Sequence, residues 1–506
     1  MVSGFWYFHS ARPHVYSSFL VFPSLPIIQA DDFSNIILTS APSPEPTPMP
    51  TVTPGNPTKS PTFPQPTNLR PTSSGIASDN TRPAPVPAPA PNQPVTLTYI
   101  PGDLSREYEG LKLSRGLKAT IVAEADSQVQ YANGEESDED FEQDPAGGAT
   151  FAQPDGGWIY VVDFDRGNDR GGVGALTFNA EGGVTDYRFL LQDTNENRNG
   201  QPTPWGTYLS VENVDDDGSI YEVDPKGEIK ATRTLLGSEA GRSAWTGVAI
   251  DNRRSNSPVF FVSSNQDDEG FVIRYKPSQE AINAYLFSDP AFNLLQEHEA
   301  PTVEYLVLVP TPDDPSRGVF TWIDDEDLGR DSAADYFAAV SSLDVYDGVL
   351  YMTSEDRQEL FILDIDNEEY TSESTDVGDF GGDPSSVVHI LSGHESRRRR
   401  QRGRILHAGH SHAGVAGLPA NVPSLYFCED GNDNESSGIY ARTDDGRYVA
   451  ILEDDDGRGD ISSLAFSPSL KQMFFATKGT GEVFMVERED DQQFDQAVLA
   501  ISYIEE

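Results

Sequence analysis

From about residue 98 onward, short apolar and β-branched runs alternate with clusters of Gly, Asp and Asn. Trp158-Ile-Tyr-Val-Val162, Ala175-Leu-Thr-Phe178, Tyr187-Arg-Phe-Leu-Leu191 and Pro258-Val-Phe-Phe-Val262 are strand-like. So are Gly348-Val-Leu-Tyr-Met352, Leu360-Phe-Ile-Leu363 and Met473-Phe-Phe-Ala476. β-Branched and aromatic side chains favour a pleated backbone, and the polar clusters between them suit turns. Segments with a helical period are scarce, and Gln279–Leu286 is the best short helix candidate. A loose unit of Gly, alternating apolar residues and a polar turn recurs at Gly218–Gly227, Gly270–Pro277, Gly438–Gly446 and Gly481–Glu487. Leu464–Phe475 reads as an inner strand, a turn and the next strand. Repeated hairpins at uneven spacing predict an all-β fold, a β-propeller with decorated loops; a large two-sheet sandwich is the alternative.

Composition changes the picture at the N-terminus. Residues 41–94 hold 17 of the 37 prolines, interleaved with Ser, Thr and Ala. That composition cannot bury a core and favours extended, disordered segments, so residues 31–97 are expected to be a Pro/Ser/Thr-rich spacer. Spacers of this kind are often O-glycosylated outside the cell. Within residues 1–30, Phe19-Leu-Val-Phe22 and Leu25-Pro-Ile-Ile-Gln-Ala30 could form the apolar part of a signal peptide cleaved near Ala30. Pro23 and Pro26 interrupt it, and His9, Arg12 and His14 lengthen what precedes it, so a merely disordered N-terminus is the other reading. A secreted or wall-associated, monomeric protein is the expectation. No run of 18 apolar residues occurs, so no transmembrane segment is expected.

The formal net charge is −47. Residues 1–94 carry four basic and four acidic groups, so the whole excess falls on residues 95–506. Such a surface repels phosphate backbones, which argues against a nucleic-acid partner, and it attracts divalent cations. Cys428 is the single cysteine, so no intramolecular disulfide forms. One segment, residues 392–423, breaks the acidic pattern with Arg397, Arg398, Arg399, Arg400, Arg402 and Arg404, followed by His407, His410 and His412. It reads as an inserted loop: a protease site, a polyanion contact, a histidine metal site or a solvated loop.

Closely spaced Asp and Asn in turns offer the converging oxygens that hard cations need. Asn213, Asp215, Asp217, Gly218 and Asp224 follow the spacing of a calcium loop, but no helix patterns flank them. A hairpin turn with acidic decoration is the equal alternative. Glu429-Asp430-Gly-Asn-Asp433, after the strand-like Leu425-Tyr-Phe-Cys428, is a second candidate, and Asn434-Glu-Ser436 is a glycosylation sequon.

The stretch from Gln201 to Asn213 begins with Pro and Gly turn chemistry and runs into a strand ending on a carboxylate. It resembles the signature of the PhoX-type alkaline phosphatases, an iron- and calcium-dependent family in which Thr-Pro-Trp-Gly-Thr leads into Ser/Thr-Cys-Glu-Glu. Further ordered similarities over roughly residues 110–500 are Gly110-Leu-Lys-Leu-Ser114, Gly171-Gly-Val-Gly174, Asp251-Asn-Arg253, Leu425–Gly431 and Leu464-Ala-Phe-Ser-Pro468. The resemblance implies a single propeller of about six blades over residues 98–506, with a metal centre at one axial end. It also implies a secreted phosphomonoesterase in which iron and calcium bind the phosphate.

This chain departs from the family at the metal. Val211 stands where the family has its thiolate, and Asn213 replaces the second carboxylate after it. Thr246 replaces a Glu, Ser263-Ser264-Asn265 stands for Thr-Glu-Asp, and Ser341-Ser342 stands for a Glu-Gly pair. Asp460 stands for a Glu. Highly charged ions require anionic ligands, so the family's iron–thiolate centre is not expected. Glu212, Asp163, Asp165, Glu429, Asp430 and Asp460, with Asp215 and Asp217 of the calcium-like loop, remain to hold calcium. Arg274 remains to pair with them or to meet a phosphorylated small molecule. Two functions follow: a degenerate PhoX-like module that binds calcium or a ligand, or a phosphomonoesterase with a rebuilt, calcium-dominated site.

Overall fold

The structure, a computed structural model, describes residues 104, 106–236, 243–265, 270–287, 294–296, 301–377, 380, 383–389, 423–430, 437–443, 446, 448–454, 457–495 and 502–503. The signal-peptide and spacer expectations, the basic loop and the sequon lie outside these residues.

Strands follow one another in up-and-down order to make six blades. Blade 1 comprises Pro145–Ala152, Trp158–Phe164, Gly171–Phe178 and Val184–Thr194; blade 2 comprises Asn197–Pro202, Tyr208–Glu212, Ile220–Val223 and Thr232–Arg233. Blade 3 comprises Trp245–Asp251, Val259–Ser264, Phe271–Lys276 and Thr302–Thr311; blade 4 comprises Val340–Tyr346, Val349–Ser354, Glu359–Asp364 and Glu369–Ser374. Blade 5 comprises Asp383–His389, Pro423–Asp430, Ser437–Thr443 and Tyr448–Asp454. Blade 6 takes Ile461–Phe466, Gln472–Thr477 and Glu482–Arg488, and its fourth strand is Leu117–Ala123 from the start of the domain. The first strand of each blade packs against that of the next, and Ile461–Phe466 returns to Pro145–Ala152, so the ring closes around an axis. This is a six-bladed β-propeller, and the sandwich alternative is not adopted.

The core lies between the blades, as six apolar clusters, one for each pair of neighbours. In blade 1, Tyr160 and Val162 face blade 6, while Ile159 and Val161 face blade 2. In blade 3, Phe260 and Val262 face blade 2 and Phe261 faces blade 4. Side chains alternate across a strand, so a strand covered on both faces reads as an unbroken apolar run. The loose Gly-led unit of the sequence corresponds to third strands, in blades 2, 3, 5 and 6.

Asp314–Ile323 pairs with Thr302–Thr311 on one side and with Glu369–Ser374 on the other, merging blades 3 and 4 into one nine-stranded sheet. Of the two described helices, Gln279–Phe287 falls where the sequence suggested and Glu326–Tyr336 was not read. The second begins with Asp325 accepting the Leu328 amide, a local N-cap. Among the described residues no helix is long and apolar enough to cross a membrane.

Candidate functional site

All six inner strands break register with their second strands near their first residues: at Pro145/Gly147, Arg198/Gln201, Trp245/Gly247, Val340/Ser342, Pro384/Ser386 and Ser462/Ala465. A bulge sets two residues against one and turns a side chain off the pleat. Repeated around a ring, six bulges aim small side chains at the axis. Ala146, Asn199, Thr246, Ser341, Ser385 and Ser462 thereby line one axial funnel. Arg198, Ser386, Asn265, Glu355 and Lys478 also line its wall, around about 410 Å³ of space, open solvent included. Crowding keeps the neighbouring positions bare: a Cβ on Gly147 would collide with the Asp163 carboxylate and the Asn199 amide.

The bulge hydroxyls stitch the blades together. Thr246 Oγ1 donates to the Val340 carbonyl, Ser341 Oγ to that of Pro384 at 2.5 Å, Ser385 Oγ to that of Ile461 at 3.4 Å, and Ser462 Oγ to that of Pro145 at 2.6 Å. Each acceptor is the residue just before the funnel-lining residue of the next blade. The equivalent carbonyl in blade 3, that of Trp245, receives Asn213 Nδ2 at 3.2 Å; Asn213 also donates to Asn265 Oδ1 at 2.8 Å. Asn199 spans the funnel, donating to the Ser341 and Ser385 carbonyls at 2.9 and 3.3 Å while its Oδ1 accepts from Ser386 Oγ at 3.1 Å. Thus Thr246, Ser341, Asn213 and Asn265, at positions the resemblance gives to anionic ligands, form neutral hydrogen bonds. All but the Asn265 acceptor reach the next blade directly. Ser264 pairs with Ser243 at 2.6 Å.

The structure disperses the remaining carboxylates. Asp163 is fully buried at the end of its strand, where its carboxylate accepts Tyr208 Oη at 2.6 Å, Ser210 Oγ at 2.7 Å and the Gly200 amide at 3.1 Å. Burial pushes its carboxyl up to about 6, against the pull of those three hydrogen bonds. Asp165 stands nearer the funnel and holds Arg198 at 2.9 Å and Lys478 at 3.4 Å, joining blades 1, 2 and 6. Glu212 is buried and accepts the amides of Asn195 at 3.0 Å and Ser219 at 3.1 Å; burial raises its pKa. Glu429 is buried at the matching strand end of blade 5, and the Asp430 side chain is outside the described residues. Asp460 is partly exposed before the first strand of blade 6.

The calcium-like loop is not one loop. Asp215 and Asp217 are exposed on a short 3-10 turn, whereas Asp224 follows the strand Ile220–Val223. Four residues of strand separate them by roughly 13 Å, and Asp224 instead caps its own turn through the amides of Lys226, Glu228 and Ile229. Arg274 also stands away from the funnel lining: it bonds Glu304 at 2.7 Å and stacks 4.9 Å over Trp322. Val211 is buried in the apolar cluster between blades 2 and 3, and Cys428 in that between blades 5 and 6. Among the described residues no three His, Cys, Asp or Glu side chains converge on a point that could hold a metal. The described residues therefore do not fit an iron–thiolate or calcium cage.

The signature turn Thr203–Thr207 sits at the far end of blade 2 from the funnel, because the inner strand enters at Asn197 and leaves at Pro202. Buried Glu222 locks it, accepting Trp205 Nε1 and Thr207 Oγ1, each at 2.6 Å. It is a structural corner. Sequence reasoning missed Arg198, Lys478, Glu355, Asn199, Ser385, Ser386 and Ser462. A signal did exist: the inner strands open on Ala146-Gly, Asn199-Gly, Thr246-Gly, Ser341-Ser, Ser385-Ser and Ser462-Ser.

No family model matches the chain, and no curated protein matches it. Among solved structures it is similar to Pseudomonas fluorescens PhoX in complex with vanadate, a transition state analogue. That match has 13% identity over 79% of this chain and 99% of that one, with a TM-score of 0.53. A gluconolactonase from Xanthomonas campestris matches at 13% identity over 73% and 98% of the two chains, with a TM-score of 0.36. The first likeness shows a shared propeller fold.

Proposed function

We propose that this propeller is a non-catalytic module that binds a small phosphorylated molecule in the axial funnel through its own side chains, without iron or calcium. The observation that carries this reading is the funnel's lining: Arg198 and Lys478 with hydroxyls and amides, and Glu355 as the one carboxylate among the described lining residues. Both cations bond the carboxylate of Asp165, with Glu196 acting on Arg198 and Asp144 on Lys478. Arg198 Nε is buried and has no hydrogen-bond partner among the described residues. A buried donor left unmade is costly, and an anion's oxygen would satisfy it. On a chain of net charge −47, Arg198 and Lys478 set donors into a concave site, where they would meet an anion's oxygens. The apolar segment before residue 30 and the Pro/Ser/Thr-rich stretch support secretion of the module.

Titrating inorganic phosphate and 4-nitrophenyl phosphate calorimetrically into the EDTA-treated full chain tests this. Binding should persist without metal, and Arg198→Ala should weaken it by about tenfold or more. No nitrophenol should appear when iron and calcium are added. Metal-dependent turnover abolished by Glu212→Ala would instead establish the rebuilt phosphatase.

A further inference from the structure

We infer that the funnel's ligand is a phosphorylated polyol, with its phosphate on Arg198 and Lys478 and its hydroxyls against the wall formed by blades 3 to 6. This rests on the binding reading above and adds the other half of the ligand. A hydroxyl owns one hydrogen and two lone pairs, and a carbonyl oxygen only accepts. Thr246, Ser341, Ser385 and Ser462 each direct their hydrogen at a backbone carbonyl of the next blade. Their hydrogens are therefore committed.

The neighbouring hydroxyls follow the same logic. Thr246 shares its hydrogen between the Val340 carbonyl and Ser263 Oγ, 2.8 Å away, and Thr353, 2.9 Å from Ser341, is the donor in that pair, which leaves Ser341 one lone pair. Ser386 gives its hydrogen to Asn199 Oδ1, and the two carbonyls on Asn199 Nδ2 fix that amide's orientation. This side of the funnel thus offers lone pairs, with Glu355 as a further acceptor. Arg198 of blade 2 and Lys478 of blade 6, which meet at Asp165, offer the donors.

A ligand complementary to both must bring acceptors at one end and hydrogens at the other. Inorganic phosphate supplies the first only. Sugar-like hydroxyls supply the second at little desolvation cost, whereas an ammonium group set mainly on neutral oxygens would give up far more hydration.

Calorimetric titrations of the full chain in EDTA with methyl phosphate, sorbitol 6-phosphate and phosphoethanolamine test the inference. Sorbitol 6-phosphate should bind about tenfold more tightly than methyl phosphate, the worth of one or two net hydrogen bonds. Ser462→Ala should remove most of that advantage, read as the ratio of sorbitol 6-phosphate to methyl phosphate affinity on the same variant. If that variant does not fold, the ratio of the two ligands on the natural chain still decides. Equal affinities, or tighter binding of phosphoethanolamine, would overturn the polyol inference and leave the phosphate site standing. If no phosphate compound binds, the binding reading fails, and this inference with it.

Discussion

Asp163→Ala is expected to destabilise the propeller by about 3 kcal/mol at pH 5, read from urea unfolding. The substitution orphans three buried donors at once: Tyr208 Oη, Ser210 Oγ and the Gly200 amide. Those donors lie in blade 2, so the loss falls on the contact between the first two blades. The penalty should shrink as pH rises. Asp163 has a folded pKa of about 6 against an ordinary 3.8 because burial disfavours its charge. A raised folded pKa gives stability that is complete below the unfolded value and lost as pH climbs through the folded one. Between pH 5 and 7 the difference between natural chain and variant should therefore fall by about 1 to 2 kcal/mol. A difference that grows with pH over that window would show that the ionised carboxylate is the favoured native form.

Gly200→Ala should cost about 3 kcal/mol and also abolish calorimetric phosphate binding. The new Cβ would press on the Leu209 carbonyl and on the Tyr208 ring, both well inside van der Waals contact. Neither neighbour can retreat: Leu209 lies in a paired strand and Tyr208 is held by Asp163. Gly200 has no positive φ, so the argument is steric alone. The backbone must shift at the bulge that sets Arg198 and Asn199, which carries the effect into the funnel. A variant with unchanged unfolding midpoint and unchanged phosphate affinity would show that the bulge accommodates a side chain.

The scaffold was legible in the sequence because its strands are buried on both faces. Runs such as Trp158–Val162 and Met473–Ala476 leave little choice but strand, and the Gly-led repeat marks third strands. Ordered similarity to a propeller family supplied the blade number. The site was legible only in part. Thr246, Ser341 and Asn265 line the funnel, but Val211 lies in an apolar cluster and Ser264 pairs with Ser243, and the carboxylates Glu212 and Asp163 turn to nearby amides and hydroxyls. Spacing misled at Asp215 and Asp224, because an intervening strand carries the chain away between them. Arg198 and Lys478 went unread because they are 280 positions apart in sequence (478 − 198), and only closure of the ring sets blades 2 and 6 on either side of Asp165. The dipeptides opening the inner strands were visible throughout. Their meaning depends on the bulge, where an extra residue must be small and a hydroxyl can reach the next blade.

Hydrogen bonds of about 1 kcal/mol each thus join the blades from Thr246, Ser341 and Asn213, positions where the resemblance implies anionic metal ligands. Elemental analysis of the full chain, purified without chelator and again after incubation with iron and calcium, tests that most directly. Iron far below one atom per chain, with phosphate affinity unchanged by EDTA, is the predicted result. Iron close to one atom per chain, lost together with phosphate binding on chelation, would contradict it.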